Sequence, residues 1–198
     1  MQVLAFNKWD TSGIQVRDPG LRKYINLNAT IVPKTGARYA GNKFHKSRTF
    51  IVERLINKVM ITGHRGKKHL MSSGHNTGKA TKAYGIVYDA LEMMEAKTKM
   101  NPIEVLVRAI ENAAPREEII TVEYAGARYP KPVEVAPQRR VDFSLRQFAQ
   151  GAYQKSFKKK TSMATSLANE IILAYEKNPQ ANAIAKRTEL ERQSDSSR

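Results

Sequence analysis

Pro115-Arg-Glu-Glu-Ile-Ile-Thr-Val-Glu-Tyr-Ala-Gly-Ala-Arg-Tyr-Pro-Lys-Pro-Val-Glu-Val-Ala-Pro-Gln-Arg-Arg140 is the stretch that decides the fold. Its apolar residues alternate, whereas those on either side recur every three or four positions. Ile120, Val122 and Tyr124 share one face of a strand, and Val133 and Val135 share one face of a return strand. Ala125-Gly126-Ala127-Arg128 lies around the turn. The sequence therefore predicts a β-hairpin at about 117–135. Pro130 and Pro132 would spoil a central strand. In a two-stranded ribbon they are tolerated, because residues two apart aim their missing N–H groups to the same side, away from the partner strand. An isolated hairpin is marginal in water, so a projecting ribbon implies a surface to lie against.

Outward from the hairpin the pattern is helical. Pro137 begins a helix with Val141, Leu145, Phe148, Ala149 and Ala152 inward, ending in Lys158-Lys159-Lys160. Ser162 is placed to cap the next, with the stripe Met163, Leu167, Ala168, Ile171 and Tyr175, broken by Asn178-Pro179. A last, mostly polar helix spans roughly 180–193. Upstream, Asn101, Pro102 and Glu104 mark a helix start, and Ile103, Leu106, Val107, Ile110 and Ala113 form its stripe until Pro115. Two earlier helices are expected near 77–98 and 48–62, the latter capped by Gly63. Residues 1–46 show no sustained period and read as a basic, partly extended N-terminal arm, with a short strand at Asn28–Val32. The fold class is mainly α: a bundle of about six helices over 47–198 with one protruding two-stranded β-ribbon.

Charge points to the partner. The chain has 198 residues, 34 Lys and Arg against 18 Asp and Glu, and a pI of about 10.1. A net charge of +16 exceeds the needs of solubility and implies a polyanion, nucleic acid before a membrane. No apolar run approaches the ~18 residues of a membrane span. The N-terminus lacks a secretory pattern, so a cytoplasmic protein is expected. Cysteine is absent, which excludes disulfides and thiolate metal sites. From Glu53 to Asp89 no acidic residue intervenes, while Lys58, Arg65, Lys67, Lys68, Lys79 and Lys82 do. From Asp89 to Glu123 there are eight acidic residues, and Arg139–Lys160 is basic again except for Asp142. Two basic blocks around an acidic one suggest a molecule with one polyanion-binding face.

Nothing in the chain argues for catalysis. Gly74-His75-Asn76-Thr77-Gly78-Lys79-Ala80 is one residue short between its glycines for a nucleotide-binding loop, and Ala80 replaces the required Ser or Thr. A Gly/Lys loop entering a helix still suits RNA phosphates. His45, His64, His69 and His75 lack paired helical spacing for a metal. Glu117 and Glu118 point to opposite faces of a strand. No nucleophile motif frames the Ser, His and Asp residues. No cofactor and no metal are expected.

The candidate RNA contacts are Lys43, Lys46, Arg48, Arg65, Lys67, Lys68, Lys79, Lys82, Arg139, Arg140, Arg146, Lys155, Lys158, Lys159 and Lys160. Tyr39, Phe44, Tyr129, Tyr153 and Phe157 lie among them as stacking candidates, though packing is the stronger reading for Tyr153. No RNA-recognition, KH or zinc-finger signature occurs, so binding would act through phosphate and shape. A free regulator with a helix-turn-helix core and a ribbon wing is the alternative. An RNA-modifying enzyme is a third class, without a cofactor loop to support it.

In order and spacing, several segments resemble the universal small-subunit ribosomal protein seven family in its archaeal and eukaryotic form. They are Ile51-Val-Glu-Arg-Leu55 with Asn57 and Met60, Gly66-Lys67-Lys68, Asn101-Pro-Ile-Glu-Val-Leu-Val107 with Ala109, Ile110 and Asn112, and Ala114-Pro-Arg-Glu117. Ala125-Gly126, Arg139-Arg-Val141, Leu167-Ala-Asn-Glu170, Glu189-Leu-Glu-Arg192 and Ser197-Arg198 continue the likeness. It runs from about Thr49 to the C-terminus. The loop from Lys68 to Lys79 is longer than the family pattern, and residues 1–46 match loosely. The resemblance implies a structural protein of the small-subunit head that binds the 3′ major domain of the rRNA and nucleates head assembly. It further implies a ribbon near exit-site tRNA and the mRNA exit path, beside ribosomal protein eleven. Carried onto this chain, rRNA contacts fall on Gly66-Lys67-Lys68, Arg139-Arg140 and the basic end of the fourth helix. Gly126, Arg128 and Tyr129 of the ribbon then face tRNA and mRNA.

Overall fold

The computed structural model describes residues 3–62 and 76–198. Seven helices and one ribbon are described: α1 His45–Arg48, α2 Ile51–Val59, α3 Ala80–Thr98, α4 Pro102–Ala113, β1 Glu117–Tyr124, β2 Ala127–Glu134, α5 Pro137–Ser156, α6 Met163–Tyr175 and α7 Asn182–Ser196. Among the described residues the fold is mainly α with one two-stranded antiparallel sheet. None of the described helices is long and apolar enough to cross a membrane.

The helix boundaries follow local chemistry. Asn101 Oδ1 accepts the Ile103 N–H at 3.0 Å, with Pro102 and Glu104 in the first turn of α4. Ser162 Oγ accepts the Thr165 N–H at 3.1 Å and so caps α6. The helix expected over 48–62 is α2, Ile51–Val59, separated from the one-turn α1 because Thr49 and Phe50 are extended with ψ near 135° and 136°. That break lets the Ile51 N–H donate to the Asn26 carbonyl at 3.0 Å. Gly63 lies outside the described residues.

α6 packs against α3, α4 and α5, and α7 against α5 and the base of β1. Small residues let the axes approach: Ala149, Gly151 and Ala152 on α5, with Ala164, Ala168 and Ala174 on α6, are all buried. Phe148, Leu145, Ile110, Leu106, Leu167 and Ile171 fill the centre without exposure.

Part of the segment 1–46, expected as a basic, partly extended arm, packs onto the helices. Ala5, Phe6, Trp9, Val16, Leu21 and Ile25 belong to the core. Phe6 meets Trp9 edge-on at 5.7 Å and lies 5.2 Å from Tyr84 of α3. Lys8 pairs with Glu92 and Glu95, and the Arg17 and Asp18 N–H groups both donate to Glu111 of α4. No strand forms at Asn28–Val32. Among the described residues the segment offers two isolated bridges, antiparallel Ala5 to Trp9 and parallel Asn26 to Phe50, and no strand. Further along, Ile31, Val32, Tyr39 and Phe44 are exposed.

Candidate nucleic-acid interface

The ribbon is built as the alternation predicts. Glu117 pairs with Glu134 and Tyr124 with Ala127, leaving a two-residue turn at Ala125 and Gly126. Both have positive φ, 50° and 82°, the signature of a type I′ turn that follows strand twist. With Tyr124 and Ala127 as the closing hydrogen-bonded pair, Pro130 (opposite Thr121) and Pro132 (opposite Ile119) occupy non-hydrogen-bonded positions. Their lack of an N–H therefore breaks nothing. Register also places Arg128 and Tyr129 on opposite faces. Tyr129 sits with Val122, Ile120 and Tyr124 on an exposed apolar face, and Arg128 pairs with Glu123 at 3.7 Å on the other.

Carboxylates fasten the ribbon's root. Glu117 accepts from Ser194 Oγ at 3.0 Å and from the Arg198 guanidinium, which hold its carboxyl below the usual range. Glu118 accepts from Arg139 Nη2 at 2.8 Å, and Glu191 accepts the Arg116 N–H at 3.2 Å. The two neighbouring glutamates thus reach opposite sides, to α7 and α5.

The candidate basic residues divide by what they touch. Arg139 is exposed and Arg140 is turned inward: its Nε donates to the Pro115 carbonyl at 3.0 Å and its Nη2 to Asp18 at 2.9 Å. Lys155 pairs with the fully buried carboxylate of Glu170, which also accepts the Asn182 N–H at 3.0 Å. Lys158 extends over the Phe157 ring at 5.7 Å, and Phe157 lies 5.4 Å from Tyr153. Lys159 and Lys160 are exposed beside them, in the turn between α5 and α6. Lys79 and Lys82 are exposed at the first turn of α3, which has no acidic residue to complement its positive end. Arg65, Lys67 and Lys68 lie outside the described residues.

The structure brings Lys46 of α1 and Arg146 of α5 to one place. Asp142 accepts Lys46 Nζ at 2.9 Å and Arg54 Nη2 at 3.3 Å, with Lys58 Nζ at 4.0 Å, and Arg146 is near enough to repel Lys58. Burial pushes the Asp142 carboxyl up, but the Lys46 hydrogen bond and the charges of Arg54 and Lys58 outweigh it, so its pKa is lowered. Lys43 and Arg48 flank Lys46 and are exposed. Sequence reading missed Arg54 and Lys58 as members of this group. Their signal was an i, i+4 basic pair on α2 facing the pair Asp142 and Arg146 on α5. Lys158–Lys160 lie just past the C-terminal end of α5, whose last residue, Ser156, is about 15–21 Å along the axis from Arg146 and Asp142 at ~1.5 Å per residue. The basic surface is therefore extended, with one cluster beside the first half of α5 and another just past its C-terminal end. Among the described residues no group of His, Asp and Glu is arranged to hold a metal ion.

The family description "Ribosomal protein S7p/S5e" matches residues 21–198. The chain belongs to this family. It is similar to the small ribosomal subunit protein uS7 of Nanoarchaeum equitans, 46% identical over 198 residues and covering 100% of both chains. The protein of that name from Archaeoglobus fulgidus is 47% identical over 197 residues, covering 100% of this chain and 96% of its own. That from Methanothermobacter thermautotrophicus is 46% identical over 189 residues, 96% of each chain. The likeness thus extends through the N-terminal segment, where the motif comparison ran only from about Thr49. The relatives are named as ribosomal constituents and not as enzymes.

Proposed function

We propose that this protein is a structural constituent of the small subunit of cytoplasmic ribosomes, binding the 3′ major (head) domain of small-subunit rRNA and nucleating head assembly. The observation that carries this reading is end-to-end similarity to archaeal proteins of the small ribosomal subunit. The extended basic surface along α5 supports it, because phosphates spaced along an RNA duplex need cations spread over tens of ångströms. The helical body of residues 47–198 supplies most rRNA contacts, through Lys43, Lys46 and Arg48 at its edge, Lys79 and Lys82, Arg139 and Arg146, and Lys158–Lys160. Arg65, Lys67 and Lys68 complete the set. Arg140 and Lys155 act mainly by fixing the helices that present the others. The ribbon, with Gly126, Arg128 and Tyr129, serves exit-site tRNA and mRNA beside ribosomal protein eleven. Opposite placement of Arg128 and Tyr129 suits a ribbon with a different neighbour on each face.

Sedimentation tests the ribosomal assignment. The protein is expected to remain with the small subunit through a sucrose gradient at moderate salt; migration as free protein would mark it as a regulator instead. Deleting Ala125–Arg128 is expected to leave rRNA binding nearly intact and to disturb exit-site tRNA occupancy. Equal loss of both would contradict the division between body and ribbon.

A further inference from the structure

Around Asp142 the charges do not balance. Lys58 is repelled by three cations, Lys46, Arg146 and Arg54, and attracted by one carboxylate, Asp142. Both of its oxygens are already held: Oδ2 by Lys46 at 2.9 Å and Oδ1 by Arg54 at 3.3 Å. Lys58 reaches only Oδ1, at 4.0 Å, beyond hydrogen-bond length. Its side chain is nonetheless only 22% exposed, so its ammonium has given up much of its water. Among the described residues no other carboxylate pairs with it. Burial lowers its pKa, and repulsion from Lys46, Arg146 and Arg54 adds to this against the pull of Asp142.

A cation held half-dry among like charges makes the free protein less stable. Folds keep such arrangements where a ligand relieves them. The surroundings here are rigid. Arg54, at 5% exposure, is fixed between Asp142 and the Tyr24 carbonyl, to which Nη1 donates at 2.7 Å. Lys46 and Arg146 approach from the two flanking helices and remain exposed. We infer that this junction is a phosphate-binding site in which an RNA phosphate lies against Lys58, between Lys46 and Arg146, while Asp142 and Arg54 hold the cations in place. A phosphate adds negative charge and further acceptor oxygens for a donor that Asp142 does not reach at hydrogen-bond length. The choice of RNA as the source rests on the ribosomal reading; the phosphate chemistry does not.

Lys58→Met keeps the aliphatic stem and removes the charge. Its thermal midpoint is compared with wild type in chloride and in inorganic phosphate at equal ionic strength. Binding to a head-domain rRNA fragment is then titrated across salt concentrations. In chloride the variant is expected to melt no lower than wild type, because an unfavourable charge is gone. The rise that phosphate gives the wild type is expected to shrink. The log–log salt slope for rRNA is expected to fall in magnitude by about 0.7–0.9, one contact. Lys58→Gln should behave alike, which guards against a defect peculiar to Met. An undiminished phosphate-induced rise, or an unchanged salt slope, overturns the site. If instead wild type fails to prefer head-domain rRNA over an unrelated RNA of equal length, the ribosomal reading falls, and the phosphate arm still decides the junction.

Discussion

Gly151→Ala is expected to destabilise the protein although alanine is the better helix former. Gly151 lies inside α5 where α6 and the start of α7 converge. A Cβ there would sit 2.8 Å from Asn182 Cβ, 2.9 Å from Glu170 Cδ and 3.0 Å from Glu170 Oε2. Carbon atoms normally stay near 3.5–4.0 Å apart, so one of these groups must move by several tenths of an ångström. Glu170 cannot yield easily: it is unexposed, accepts the Asn182 N–H at 3.0 Å and pairs with Lys155. Overpacking of this kind costs about 1–3 kcal/mol. Weakening a hydrogen bond to a buried charge adds part of a further ~1.5–3 kcal/mol. Better helix propensity returns only about 1 kcal/mol. The net is roughly 2 kcal/mol, or a fall of about 4–8 °C in melting temperature for a chain of this size. Gly85→Ala on α3 is the internal control, since its Cβ would meet nothing within 4 Å. It keeps the propensity gain alone and is expected to raise the midpoint by about 1–4 °C. Calorimetric or circular-dichroism melts of both variants measure the contrast. Equal stabilisation by the two substitutions would refute the claim that α5, α6 and α7 meet at a contact closed to a methyl group.

Other consequences separate joint from surface. Arg140→Ala is expected to cost about 1–3 kcal/mol in urea titrations by stranding Asp18 and the Pro115 carbonyl, whereas Arg139→Ala should leave stability near wild type and reduce the rRNA salt slope by about 0.7–0.9. Asn101→Ala removes both the α4 cap and the donor to the Asp10 carbonyl at 2.6 Å; a loss of about 1–2 kcal/mol is expected, with faster amide exchange in residues 5–25. Arg198→Ala leaves Glu117 held by Ser194 alone, so limited trypsin treatment should cut the ribbon at Arg128 sooner than in wild type. Asp142 has a folded pKa below its unfolded value, so its stabilising effect is full above about pH 4 and disappears as pH falls through the lowered value. Asp142→Asn should therefore flatten part of the acid limb of a stability–pH curve, and an unaltered limb would deny Asp142 that role.

The ribbon was legible because its signals are local: a period of two, Gly126 where φ is positive, and two prolines in step. The starts of α4 and α6 were legible for the same reason, each written in a cap residue. The N-terminal segment was not, because Ala5, Phe6, Trp9, Val16, Leu21 and Ile25 enter the core one at a time, at spacings that match neither helix nor strand. Aperiodic burial leaves no period to read. The junction at Asp142 was only half legible. Lys46 and Arg146 stood out as basic residues, but Lys58 becomes distinctive only when α2 is laid against α5. Arg139 and Arg140 looked equivalent in sequence. A helix turns ~100° per residue, which sends one outward to Glu118 and the other inward to Asp18.

The few acidic residues explain how so basic a chain holds together. Glu53 fixes Thr35, Glu111 fixes the backbone at Arg17 and Asp18, Glu170 fixes α7 to α6, and Glu117, Glu118 and Glu191 fix the ribbon. Each joins segments distant in sequence, so removing one loosens a joint and does more than change net charge. The cations near these joints, Arg140 and Lys155, are correspondingly internal in role. Those away from them, among them Lys43, Arg48, Arg146, Lys159 and Lys160, have no ion pair among the described residues and carry the surplus charge. Substitutions should therefore sort into two kinds, acids that alter folding and outlying bases that alter RNA affinity. Lys58 stands where the two meet: its ammonium faces a joint carboxylate already taken, so the same charge that weakens the free fold is the one an incoming phosphate stabilises.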